Sequence, residues 1–493
     1  MIPGEARQAQ WSQLSELIAR TMGLHFPREC WDDLQRGLAG AAQEFGFDDD
    51  AAACVGWLLS APPTQAQLQV LAGHLTIGET YFFRDPQTLE ALARDILPKL
   101  IRARRGVDQR LRIWSAACCS GEEPYSLAIL LHEALPDLRD WQVTITATDI
   151  NARALHKAAA GIYGEWSFRD APAGLKERYF KRTADDRYAI VPWIRKLVNF
   201  AYLNLVEDAY PSLATGTNAM DLIFCRNVLM YFTPPQVGKV IGNLRRTLVD
   251  GGWLAVSPSE ASQALFPQFV TANFPGAILY QKSDVTPRMG RRWTPAPLSE
   301  AVEYAAPPIE APVPWTPPIT AASPTEPPTP DAVAELLYRQ GRYAEAAETL
   351  VASFARQAPG PPAFSLLTRA FANLGRLADA LAWCNRWIAA DKLNPAGHYL
   401  RAVVLLEQGD PGQARASLQR ALYLQPDFVL AHFALGNLAR SRGKSGEADK
   451  HFANALHVRR GHPPDDFLPE SDGMNARRLT ETIASLMEVE ASP

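Results

Sequence analysis

Two places in the 493-residue chain put acidic side chains where an apolar run gives way to a turn. One is AACCSGEEPYS at 116–126, which follows the apolar LRIWS and opens a helix with Glu122 and Glu123. It holds a single glycine, Gly121, so the three-glycine fingerprint that cradles a pyrophosphate is absent. The other is Asp149, which ends the apolar run VTITATD. At that point of a doubly wound fold an acidic residue accepts hydrogen bonds from the two hydroxyls of a ribose. An adenosine without a pyrophosphate suggests S-adenosylmethionine, and one of the two glutamates would then pair with the ammonium of its methionine part. Plainer readings stay open: Asp149 as the N-cap of the following helix, and the glutamates as favourable company for a helix dipole. Cys118 and Cys119 adjoin the site but have no neighbouring histidine in sequence to make a thiolate, so they read as turn and core residues.

The elements that must position these residues follow from periodicity. LRIWSAA, VTITATDI, MDLIFCRNVLMYF and GGWLAVSPS read as strands, and EEPYSLAILLHEAL, NARALHKAAAGIY and QVGKVIGNLRRTLVD as the helices between them. Strands alternating with crossover helices predict an α/β fold with a parallel doubly wound sheet, which binds ligands at the carboxyl ends of its strands. The segment 179–204 has short alternating runs around the turn ADD and predicts a small antiparallel β subdomain instead of another crossover. Residues 1–75 place apolar side chains three and four apart and predict a helical N-terminal domain, followed by the sheet domain over 76–283.

Thirteen of the 39 prolines lie between Pro287 and Pro330, so 284–330 reads as an extended linker, with a docking ligand for a proline-recognising domain as the rival reading. Beyond it Gly341, Gly375, Gly409 and Gly443 recur every 34 residues, each followed five positions later by Ala346, Ala380, Ala414 and Ala448. That period is the helix–turn–helix tetratricopeptide length, giving four all-α repeats over 331–462 and a capping helix and tail over 463–493. The repeats imply an unknown protein or peptide ligand, and their 16 basic against 11 acidic residues lean towards an acidic one. A linker that buries no core predicts that the two halves are separable, with the chemistry complete in residues 1–285.

Composition bounds the rest. With 47% hydrophobic and 21% charged residues the chain can bury cores, and a net charge of −4 gives no general support for nucleic-acid binding. None of the six cysteines has zinc-ligand spacing, so no metal is expected, and a reducing, cytoplasmic setting is the simpler reading. No run of about 18 apolar residues appears, so no membrane insertion is expected.

The segments ETYFFRD, SAACCSGEEPYSLA, TATDIN and IFCRNVLMYF, in this order, resemble the motifs of the CheR family of chemotaxis receptor glutamate methyltransferases, over roughly residues 10–283. Some members of that family add tetratricopeptide repeats. The resemblance implies methyl transfer from S-adenosyl-L-methionine to glutamate side chains on the cytoplasmic domains of methyl-accepting chemoreceptors. It also implies cofactor contacts at Thr80, Arg84, Glu123, Asp149, Asn204, Leu205, Arg226 and Asn227, with Arg84 and Tyr231 as the catalytic pair nearest the transferred methyl. Three departures accompany it. Gly78 replaces an asparagine of some relatives, the SPSE run at 257–260 lacks a histidine that relatives often carry, and residues 1–75 are acidic where the family tends to present a basic face. The basic runs RARR at 102–105, Lys181-Arg182 and Arg195-Lys196 could take over receptor docking, with a solvated face as the plainer reading of any one of them. The alternative is a catalytically weak cofactor-binding scaffold or sensor that acts through its repeats.

Overall fold

In the computed structural model, residues 3–47, 50–283, 329–355, 358–459, 461 and 463–491 are described. Four helices, Pro3–Met22, Trp31–Glu44, Ala51–Ser60 and Gln65–Leu75, pack the N-terminal domain around Leu14, Ile18, Leu34, Leu38, Val55 and Leu71. Asp50 caps the third of these and a Thr64–Gln67 capping box opens the fourth.

Among the described residues ten strands follow: β1 Arg110–Ala116, β2 Gln142–Asp149, β3 Ile162–Tyr163, β4 Phe180–Arg182, β5 Tyr188–Ile190, β6 Val198–Tyr202, β7 Met220–Cys225, β8 Leu248–Ala255, β9 Val270–Phe274 and β10 Ala277–Gln281. Seven of them form one sheet in the order β6-β2-β1-β7-β8-β10-β9, parallel except for β10 and β9. Every residue of β1 and β7 is buried, as expected for strands covered on both faces. The chain order reverses between β1 and β7, and the strands there end level, with Ala116 opposite both Thr148 and Cys225. A switch point of this kind leaves a crevice at the carboxyl ends.

The antiparallel excursion is shorter than 179–204. Its sheet, β3-β5-β4, recruits Ile162–Tyr163 from outside that range, whereas Val198–Tyr202 pairs in parallel with β2 at the edge of the main sheet. The misreading has a physical source: VNFAY is too short to show its class, and it adjoins a true antiparallel pair.

The expected linker falls outside the described residues up to 328, and Pro330 already belongs to the first repeat helix, capped by Thr329. The four helix pairs are Pro330–Arg339 with Tyr343–Phe354, Pro361–Asn373 with Leu377–Ala390, Pro395–Glu407 with Pro411–Leu424, and Val429–Ser441 with Ser445–Arg459. The turn glycines all have φ between 70° and 80°, and the alanines five positions on are fully buried. A last helix, Ala476–Ala491, packs against β6.

The two halves are not independent. The repeat turns sit along the amino ends of the main-sheet strands, so close that a Cβ at Gly341 would meet Arg246 Cγ at 2.5 Å and one at Gly409 would meet the Gln142 amide at 3.3 Å. Glu407 is buried against Arg112 at 2.9 Å and Arg110 at 3.5 Å, and Arg478 of the last helix holds Glu207 at 2.7 Å. Linker composition reports only that the linker builds no core; it carries no information on whether the domains it joins touch.

Candidate functional site

A cavity of about 530 Å³ opens at the switch point, between the carboxyl ends of the strands and the N-terminal helices. Thr80, Arg84, Glu123, Asp149, Asn204, Leu205, Arg226, Asn227 and Tyr231 all line it, as does Gly78. Its size suits a nucleoside-sized ligand.

Asp149, the last residue of β2, is buried, and its two oxygens accept the backbone N–H groups of Cys119 and Asn151, each at 2.8 Å. Burial pushes its carboxyl up, and those N–H groups oppose the shift. It is not the cap of the next helix; Asn151 is, accepting from Arg153 and Ala154. Each Asp149 oxygen keeps a lone pair for a further donor.

The neighbouring glutamates separate by role. Glu122 points away from the cavity and accepts the hydroxyls of Ser120 at 2.7 Å and Ser167 at 3.0 Å, tying the helix start to the 165–168 turn. Glu123 faces the cavity, accepts from Ser115 Oγ at 2.7 Å and pairs with Arg226 Nη1 at 3.2 Å. Burial raises its carboxyl and the Arg226 charge opposes this. Arg226 also donates to the Arg84 carbonyl at 3.1 Å and to Asp85 at 3.2 Å, so the IFCRN and YFFRD segments are held by one guanidinium. Cys118 and Cys119 are turn residues, and burial pushes both thiols up, that of Cys119 to about 12.

Arg84, whose carbonyl Arg226 holds, donates to the Glu79 carbonyl at 2.8 Å. The half-buried Tyr231 keeps its phenol protonated, raised by desolvation against the charge of Arg84. The backbone N–H of His25 donates to the Tyr231 carbonyl at 2.7 Å, and Asn204 Nδ2 donates to the Thr21 carbonyl at 2.7 Å and to Glu207 at 3.1 Å. The N-terminal helices therefore help to fix the cavity wall. Phe83, Asp85, Ala117, Cys119 and Asn227 all have positive φ, a cluster of strained backbone of the kind that functional sites hold.

Sequence reasoning misses Glu260. It weighs the SPSE run only for an absent histidine, yet the Glu260 carboxylate accepts the N–H groups of Asn227 at 2.8 Å, Val228 at 2.8 Å, Met230 at 3.3 Å and Ser257 at 3.1 Å. This caged carboxylate shapes the loop from Arg226 to Tyr231; the only trace in sequence is an acidic residue just after a strand end. The RARR run is partly committed, with Arg104 paired to Asp108 and Asp221 and Arg105 to Asp137; Lys181 is exposed, and the exposed Arg182 pairs with Asp186.

Residues 78–273 match the family described as CheR methyltransferase, SAM binding domain, and 333–395 and 399–463 match a tetratricopeptide repeat family. The chain is 36% identical to chemotaxis protein methyltransferase 2 of Vibrio cholerae, over 44% of this chain and 73% of that protein. It is 30% identical to the probable biofilm formation methyltransferase WspC of Pseudomonas aeruginosa, over 76% of this chain and 83% of that one. Among the described residues no helix is long and apolar enough to cross a membrane. The methyl donor is S-adenosylmethionine, and the chain belongs to the CheR family of protein-glutamate methyltransferases, with tetratricopeptide repeats joined behind the catalytic half.

Proposed function

We propose that the chain methylates glutamate side chains on the cytoplasmic domains of chemoreceptor proteins, in the cytoplasm, and that its repeats recruit a further protein. The observation that carries this reading is the single cavity that gathers the nine residues.

Asp149 takes the ribose hydroxyls of the donor, and Asn204 and Leu205 flank its adenosine. The Glu123–Arg226 pair offers an anion to the ammonium and a cation to the carboxylate of its methionine part, which matches a zwitterion better than either charge alone. Thr80 and Asn227 complete the wall. The bound donor supplies an activated methyl, and a glutamate carboxylate is already ionised at neutral pH, so no general base is required. The protein's task is alignment: an in-line approach needs the attacking oxygen about 3–3.5 Å from the methyl carbon. Arg84 and the protonated phenol of Tyr231 hold the carboxylate there and orient it. Exposed Lys181 and Arg182 on β4 supply a basic contact for an acidic receptor.

Transfer of a tritiated methyl group from donor to isolated receptor membranes tests the proposal. Label that appears in receptor and is released by mild base as an ester supports it; donor binding without transfer favours the scaffold reading.

A further inference from the structure

Between the last repeat and the final helix the chain turns back onto the array. Phe467 and Asn475 form an antiparallel bridge, Leu468 and Met474 are buried in the repeat core, and the tip Glu470-Ser471-Asp472-Gly473 lies on the first helices of the repeats. Ser365 and Arg369 lie one helical turn apart on Pro361–Asn373. Ser365 donates to Glu470, and Arg369 donates to Asp472 at 3.0 Å. Tyr338 of the preceding repeat donates to the same Asp472 oxygen at 3.0 Å and is itself held by Asn373 at 2.9 Å. Asp472 also accepts the backbone N–H of Leu213 from the catalytic half at 3.3 Å.

Two features mark the tip as a replaceable occupant. Arg369 Nε and Asn373 Oδ1 are buried beside it without a partner, so the face has more hydrogen-bonding capacity than the tip uses. Glu470 and Asp472 have φ of 61° and 53°, a left-handed backbone that residues with a side chain adopt at a cost, so this tip reaches the face only by bending against its own preference.

We infer that the face formed by Tyr338, Ser365, Arg369 and Asn373 is a binding site for an acidic segment of a partner protein, an apolar residue followed at two-residue steps by two carboxylates, and that residues 467–475 are its resident competitor. Leu468, Glu470 and Asp472 show the pattern it accepts. Charge complementarity selects an acidic partner, because Arg369 is the cation at the centre and the second buried Asp472 oxygen reaches only a backbone N–H. The inference does not depend on methyl transfer, since binding is read without donor or receptor.

The test uses the full chain and a fluorescent peptide of residues 467–475. The double variant Glu470→Gln with Asp472→Asn, its own tip weakened, is expected to bind the peptide at least about tenfold more tightly than the wild-type chain. Adding Arg369→Ala abolishes that gain, and a peptide with glutamine and asparagine in place of its two acids does not bind. Equal binding by wild-type and double variant, or equal binding of the acidic and neutral peptides, overturns the inference. If circular dichroism shows the double variant unfolded, hydrogen exchange on the wild-type chain decides: millimolar acidic peptide should speed exchange across 468–476 and the neutral peptide should not. No difference between the peptides then overturns it.

Discussion

Replacing Glu407 by glutamine keeps the shape of the side chain and removes the charge that joins the repeats to the sheet. Its carboxylate faces two arginines whose side chains are only 4% and 6% exposed, Arg110 and Arg112. Burial pulls Arg110 below the ordinary arginine value, and Glu407 is the largest opposing influence. Stripping one partner from a buried ion pair costs about 3–5 kcal/mol. The loss is therefore about 3–5 kcal/mol. It falls on the contact between the halves, since undocking lets water reach both arginines. Calorimetry should show the repeats of the Glu407→Gln protein melting earlier and apart from the catalytic half, whose own transition moves towards that of residues 1–283 alone. Glu335→Gln, which breaks an exposed pair with Arg339, serves as control and should cost under about 1 kcal/mol. Transitions that stay coincident and unshifted in Glu407→Gln would show that the buried pair does not hold the halves together.

Asp149→Ala should weaken binding of S-adenosylhomocysteine by at least about 1.5 kcal/mol through lost charge-assisted hydrogen bonds, and unchanged affinity by titration calorimetry would remove the ribose assignment. Arg84→Ala and Tyr231→Phe should lower turnover more than donor affinity; equal losses in both would place these residues in donor binding alone. Glu260→Ala leaves buried N–H groups of the 226–231 loop without their acceptor, and urea unfolding should register a loss of about 2–4 kcal/mol. Burial beside Glu207 pushes Glu481 up to about 7 from 4.5. A carboxyl raised on folding stabilises the fold below pH 4.5 and loses that contribution as pH climbs to about 7, so stability should fall between pH 5 and 8 in wild type and less in Glu481→Gln.

What the sequence makes legible depends on how far apart the interacting residues lie. β1, β2 and β7 announce themselves as apolar runs, and Asp149 and Glu123 by their place at strand and helix ends, because those signals are local. The 34-residue period is equally local, repeated four times. Glu260 escapes because its role is defined by N–H groups about 30 residues earlier in the chain, which no spacing rule connects to it. The Glu407–Arg110 contact spans 297 residues and leaves no compositional trace. β6 lies between these cases: its residues are seen, but whether they pair across a hairpin or along a sheet edge is decided by β2.

The seating of the repeat turns at the amino ends of the strands also sets a distance. β1 has seven residues, and at about 3.3 Å each its two ends lie about 23 Å apart. The cavity lies beyond one end and the repeat turns against the other, so these turns do not wall it. Whatever the array holds at that edge is more than a side chain's reach from the reacting carboxylate. On the function proposed above it would act as a tether, raising the local concentration of the catalytic half where its partner is anchored, with a gain set by span and not by contact.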